Sequence, residues 1–159
     1  MDDTLPLVDS DTLPAAEKKS LRDSHPLYGR MNGEVIWMAY EELGCDAEAC
    51  ATGMDAELAL RRRTISLMAT LERAPHACCV LELPDAPCAS CTACPDLARL
   101  SIDAATPQWR QWLPPYAIGC RVHARLLSHK EAGQAGCRPP EVADLPRRRM
   151  LCPCLTPGT

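Results

Sequence analysis

Three cysteines stand close together in the second half of the chain, within the stretch "PCASCTACPDL". Cys88, Cys91 and Cys94 are each separated by two residues, and Pro95 follows the last of them. A tight turn between two cysteines spaced in this way directs both thiolates toward one tetrahedral ion, as in structural zinc sites. The spacing therefore predicts a metal-binding loop that takes its remaining ligands from elsewhere in the chain.

A second pair of candidate metal ligands follows at Cys120 and His123. Together with Cys91 and Cys94 it gives C-x2-C, a spacer and then C-x2-H, which resembles a zinc-finger or zinc-ribbon arrangement. If a strand began at Cys120, the two side chains would point to opposite faces, so the pair requires the strand to begin later. The alternative is a small buried Cys120 and a surface His123.

Cys88, Cys91 and Cys94 also fit an iron–sulfur cluster, because their spacing resembles part of the bacterial ferredoxin run C-x2-C-x2-C-x3-C-P. Pro95 here follows the third cysteine directly, so the x3-C step is missing. A fourth ligand would have to come from Cys78, Cys79, Cys120 or Cys137. A cluster with an electron-transfer or sensing role is the alternative cofactor to zinc, and a thiol-rich protein without metal is the third interpretation.

Catalytic motifs are missing from the sequence. It contains no G-x-S-x-G, H-E-x-x-H, Walker or G-x-G-x-x-G pattern. The four histidines and 11 cysteines allow many Cys–His pairs, and no spacing selects one of them. We therefore expect a protein that is not an enzyme.

Composition and charge narrow the class of protein further. The chain has 159 residues and a net charge of −4, which gives no support for a nucleic-acid or membrane partner. The acidic N-terminus does not have the pattern of a signal peptide, and no apolar run reaches the ~18 residues of a membrane span. We expect a cytoplasmic protein, in which 11 cysteines favour metal ligands or unpaired thiols over disulfides.

Apolar periodicity and turn signals predict a small α+β protein with one domain over residues 28–130. A helical half (28–74) contains helices over 32–43 and 54–73, the second with a capping box at Thr52–Asp55. A cysteine-rich half (76–130) contains strands over 78–83 and 119–127. Residues 1–27 are predicted to be a disordered acidic tail, and residues 131–159 a loosely ordered tail rich in proline and arginine.

Two tryptophans, Trp109 and Trp112, precede the Pro114-Pro115 pair. They are a candidate contact surface for a protein partner. The competing interpretation is that both cap a small core, because tryptophan is largely buried in most proteins.

The stretch from Cys91 to Leu127 resembles the C-terminal motif of phage Mu F-like head-morphogenesis (minor head) proteins. That motif has C-x2-C-x2-L, a spacer, Pro-Pro and then Cys-Arg at the start of a strand. The matching positions here are Cys91, Cys94, Leu97, Pro114, Pro115, Cys120 and Arg121, whereas Val122 stands where the family often has a further cysteine. The resemblance implies a phage-derived virion or head-assembly component and groups Cys91, Cys94 and Cys120.

Overall fold

The computed structural model describes residues 7–30, 32–74, 76–82, 100–106, 108–114, 116–118, 120 and 122–141. Helices and a three-stranded antiparallel sheet make up this part of the chain, which confirms the predicted α+β class. The elements are α1 (Ala15–Ser24), α2 (Gly33–Glu42), α3 (Ala47–Arg73), β1 (Ala77–Glu82), β2 (Ser101–Ile102), β3 (His123–Ser128) and α4 (His129–Gln134). No helix in these residues is both long and apolar enough to cross a membrane.

The two predicted helices of the helical half are present, and the second begins earlier than expected. Asn32 caps α2, since its side chain accepts a hydrogen bond from the Val35 N–H at 3.0 Å. Asp46 caps α3 in the same way through the Ala49 N–H at 2.8 Å. The predicted start at residue 54 is therefore wrong, because the Thr52–Asp55 pattern lies inside α3.

Residues 7–27 form turns and a helix that pack on the rest of the chain, which corrects the predicted disordered tail over 1–27 for its described part. They include a 3-10 turn at Ser10–Thr12 and then α1. Leu13 and Leu21 are buried in the main core, and the Val8 N–H donates to Thr70 Oγ1 at 2.8 Å. Leu13 and Leu21 thus anchor a largely polar segment to the core.

The sheet has the order β2-β1-β3, and both pairings are antiparallel. Its register places Val80 opposite Ser101 and Glu82 opposite His123. At the other end of β3, Ser128 caps α4 in a capping box with Glu131. The tail predicted to be loosely ordered from residue 131 therefore begins inside α4, which continues to Gln134.

Successive side chains in a strand point to opposite faces, so the sheet has an inner and an outer face. The inner face joins the main core with α1, α3 and the Trp112 segment through Cys79, Leu81, Ile102, Ala124 and Leu126. On the outer face, Cys78, Val80 and Leu127 pack with Ala132 of α4 in a smaller cluster. A third cluster joins α2 to the start of α3.

Candidate functional site

A group of charged side chains occupies one end of the outer face. The Glu82 carboxylate lies 2.7 Å from His123 Nε2 through Oε2 and 2.6 Å from Arg125 Nε through Oε1. A carboxylate only accepts hydrogen bonds, so Nε2 is the ring nitrogen of His123 that carries a hydrogen in this contact. One carboxylate therefore orients two basic side chains on a face of the sheet that solvent reaches.

This charged group lies where the chain enters residues 83–99, here called the cysteine-rich segment. Glu82 is the last described residue before residues 83–99, and the described chain resumes at Leu100. Because Val80 pairs with Ser101, the next residues along the two strands are Leu81 and Leu100. Both ends of the segment thus meet the sheet at the end where His123 lies. The predicted ligands Cys88, Cys91 and Cys94 fall outside the described residues.

The contact with Glu82 has a consequence for metal binding by His123. An ion bound by this side chain would be bound through Nδ1, since Nε2 donates to the carboxylate. In metalloproteins a ligating histidine almost always donates its other ring N–H to a carboxylate, a carbonyl or water, which fixes the orientation of the ring. The His123–Glu82 pair has this form.

Cys120 occupies a different environment from His123. It is 4% exposed and belongs to the main core on the inner side of the sheet, whereas His123 lies on the outer face. The strand does begin later than Cys120, as the predicted ligand pair required, yet the two side chains are not brought together. Among the described residues, no group of three or more His, Cys, Asp or Glu side chains is arranged to hold a metal ion.

The other described cysteines of the sheet are both buried. Cys78 and Cys79 are adjacent in β1, with Cys78 on the outer face and Cys79 in the main core. Burial raises the pKa of Cys78 to about 11 and that of Cys79 further still. Both thiols are therefore protonated at neutral pH, the form that suits an apolar environment.

A buried polar cluster in the helical half was not anticipated from the sequence. Glu57 of α3 is 1% exposed, and the Tyr40 hydroxyl donates to its Oε1 at 3.4 Å. The Tyr40 ring reaches Glu57 by lying over Gly53, where an added Cβ would stand 2.5 Å from the ring. A glycine one turn before a glutamate was the only sequence signal, and it resembled a helix boundary.

Tyr28 borders the same cluster. Its buried hydroxyl makes no hydrogen bond of acceptable geometry with the described residues. Burial raises the pKa of Tyr28 strongly, and the negative charge of Glu57 raises it further. This phenol therefore stays neutral, and its position is set by packing.

Side chains of His25 and α3 also anchor the segment that precedes Cys120. His25 is fully buried, and its Nε2 lies 3.0 Å from the Leu113 carbonyl oxygen. Its Nδ1 accepts hydrogen bonds from the backbone N–H groups of Leu27 and Tyr28. The Thr64 hydroxyl donates to the carbonyl oxygen of Pro114 at 3.3 Å. These contacts hold the backbone at Leu113 and Pro114 against His25 and α3.

The two tryptophans cap the core. Trp112 is 1% exposed, and the partly buried Trp109 packs against the main core. Arg110 lies over the Trp109 ring and also pairs with Glu72 of α3. Trp112 is thus unavailable as a contact surface, in agreement with the capping interpretation.

No protein-family model, curated protein sequence or solved structure matches this chain. The resemblance to minor head proteins therefore stays a prediction. Of its matching positions, the structure describes Pro114 and Cys120. Any functional conclusion rests on the geometry of the chain itself.

Proposed function

We propose that this chain is a small non-catalytic protein whose cysteine-rich segment binds a structural zinc ion and serves protein interaction. The proposed ligands are the thiolates of Cys88, Cys91 and Cys94, with His123 Nδ1 as the fourth. The observation that carries the proposal is the His123–Glu82 contact at the point where the chain enters that segment.

Chain length is compatible with this ligand set. Cys88 follows Glu82 by six residues (88 − 82), and Cys94 precedes Leu100 by six (100 − 94). An extended chain spans at most ~3.3–3.6 Å per residue, so each arm reaches up to roughly 20 Å. One arm starts at Glu82, directly opposite His123, and the other at Leu100, two strands away at the same end of the sheet. Two strand spacings are roughly 10 Å, so both arms can reach His123. Cys120 is left out of the set because it packs in the main core.

A zinc ion here would supply a cross-link. Three thiolates and one imidazole give a closed tetrahedral site, which is the structural rather than the catalytic form. Such a site would hold a segment with three prolines, Pro84, Pro87 and Pro95, against the outer face of the sheet. The segment so fixed is the proposed contact surface for a partner. A zinc–thiolate site and 11 cysteines also suit a reducing, cytoplasmic location.

Elemental analysis and an absorption spectrum test the proposal, on protein purified without oxygen or chelator. We expect one zinc per chain and a colourless solution. Cys91→Ser and His123→Ala should lose the metal. Cys45→Ser, at a half-buried thiol between α2 and α3, should keep it. Wild-type protein without metal would refute the proposal, and iron with a visible absorption band would replace zinc with an iron–sulfur cluster.

Glu82→Gln tests whether the carboxylate orients the ligand. Loss of a carboxylate that holds a ligating histidine typically lowers metal affinity about 10–100-fold. We expect a drop of that size in a competition titration with a zinc chelator, with one zinc still bound at saturation. Arg125→Gln is the matched control, since Arg125 contacts the other oxygen of the same carboxylate. Equal effects of the two variants would count against the orienting role.

A further inference from the structure

Two thiols lie at the apolar end of the outer face, away from the charged group. Cys78 is in β1 and 1% exposed, in the cluster with Val80, Leu127 and Ala132. Cys137 follows α4, is half-buried and packs against the same cluster. Both are reduced thiols in the structure. Residues distant in the sequence thus bring two sulfur atoms to one small cluster.

The local chain geometry explains how Cys137 reaches this place. Leu127 lies opposite Cys78 in the sheet, and α4 begins directly after β3. The helix ends at Gln134, and Gly136, whose φ is positive at 77°, then reverses the chain. The Cys137 N–H then donates to the Ala132 carbonyl oxygen at 3.0 Å. The short helix therefore folds over the outer face and returns Cys137 toward β1.

The immediate surroundings of Cys78 agree with this placement. Its Sγ lies 4.0 Å from the carbonyl oxygen of Ser128, the residue that caps α4. Cys137 is one of the groups that raise the pKa of Cys78, after burial and Asp103. Cys137 and Cys78 thus share one cluster on the outer face.

We propose that Cys78 and Cys137 form a reversible disulfide under oxidising conditions and that this bond fastens the end of α4 to β1. The inference is independent of the proposed zinc site. Cys79, although adjacent to Cys78, is excluded as the partner because it points into the main core. Cys45 and Cys50 belong to the cluster between α2 and α3.

The chemistry requires a two-electron oxidant such as hydrogen peroxide. The half-buried Cys137 sulfur attacks the peroxide and becomes a sulfenic acid, and one water leaves. The Cys78 sulfur then attacks the sulfenic sulfur, the S–S bond forms, and the second water carries away the hydroxyl and the Cys78 proton. The balance is two thiols and one peroxide giving one disulfide and two waters. A dithiol reductant reverses it.

The disulfide would act on the second half of the molecule. It would close a loop of about 60 residues, containing the cysteine-rich segment, β2 and β3, and so lower the entropy of the unfolded chain. The neighbouring backbone is already joined there, because the Ser101 N–H donates to the Arg138 carbonyl oxygen at 2.8 Å. Oxidation would thus stabilise the frame around the cysteine-rich segment without altering the main core.

Peptide mapping of the full chain after treatment with hydrogen peroxide tests the proposal. Trypsin and a glutamate-specific protease cut after Arg73 and Glu82, so the peptide 74–82 carries Cys78 and Cys79 and no other thiol. We expect this peptide to be linked to the one with Cys137, and fragmentation to place the bond on Cys78. The melting temperature should rise by roughly 5–10 °C and return after reduction.

Cysteine variants test whether the disulfide joins Cys78 to Cys137. Cys137→Ser should abolish both the linked peptide and the rise in melting temperature. Cys45→Ser, which changes another half-buried thiol, should keep both. A Cys137 that stays a thiol, is oxidised beyond the sulfenic acid or pairs with a different cysteine in the wild-type protein would overturn the proposal. That readout does not depend on any variant folding.

Discussion

The two faces of the small sheet have different surroundings although the same strands build them. The inner face is closed, and Cys79, Ile102 and Leu126 are at most 4% exposed beneath α3 and Trp112. The outer face is apolar only where α4 covers it and ends in the exposed Glu82 group. Alternation along each strand sends apolar side chains inward and leaves the outward positions open to other chemistry.

Stability and chemistry divide between the two faces. Residues of the inner face are buried in the main core, so we expect their replacement to act mainly on stability. The outer face carries the charged group beside the cysteine-rich segment at one end and the Cys78–Cys137 cluster at the other. The proposed zinc site and the proposed disulfide therefore both fall on the outer face.

The largest expected effect comes from truncating neighbouring leucines of β3. Leu126 faces the main core and Leu127 the smaller outer cluster. Leu126→Ala should lower the free energy of unfolding by about 3–5 kcal/mol, because the closed core cannot collapse around the cavity. Leu127→Ala should cost about 1–3 kcal/mol, since the thin layer under α4 can relax. Urea denaturation measures both, and equal losses would erase the distinction between the faces.

A smaller effect compares the helices that cover the two faces. In α3, Gly53→Ala would place a methyl group against the Tyr40 ring, so we expect a loss of about 1–3 kcal/mol despite the better helix propensity of alanine. In α4, Gly133→Ala meets nothing within 4 Å and should gain about 0.5–1 kcal/mol. Thermal unfolding of the two variants checks the signs. A stabilising Gly53→Ala would show that Tyr40 does not lie against α3.

Local patterns of the sequence were enough to predict the elements that carry these faces. In the strand predicted over 119–127, apolar and polar residues alternate in the sequence; Val122, Ala124 and Leu126 are buried in the structure, whereas His123 is partly exposed. Helix α2 was also predicted closely, because Asn32 offers both a cap and a start to the apolar period. Helix α3 was predicted too short, because Thr52 and Gly53 resemble a helix boundary in the sequence. The structure shows that Gly53 lies inside the helix, where it leaves room for the Tyr40 ring.

Prediction of the candidate site requires knowledge of contacts between residues that are far apart in the sequence. Pairing of Glu82 with His123 follows from the strand register, which is set by the burial of both strands together. Cys120 packs in the main core, apart from His123, and no spacing rule reveals that. The docking of α1 was missed for a similar reason. Leu13 and Leu21 lie far apart in a polar segment, and their contribution appears only when α3 receives them.

The smallest expected effect concerns the buried hydroxyls of the helical half. Tyr28→Phe removes a hydroxyl that has no hydrogen-bond partner among the described residues, so we expect stability to be unchanged or to rise by up to about 1 kcal/mol. Tyr40→Phe removes a donor to the buried Glu57 carboxylate and should cost about 1–2 kcal/mol. Urea denaturation at neutral pH compares the two.

The opposite order of these two tyrosine variants would be informative. A loss of 1 kcal/mol or more for Tyr28→Phe would show that its hydroxyl is bonded in solution, to the neighbouring Thr64 or to a buried water. The cluster around Glu57 would then be a complete hydrogen-bonded network, and the helical half would hold a polar site as well ordered as the charged group of the outer face. If Tyr40→Phe costs more stability than Tyr28→Phe, as expected, the organised polar side chains that solvent reaches are those of the outer face.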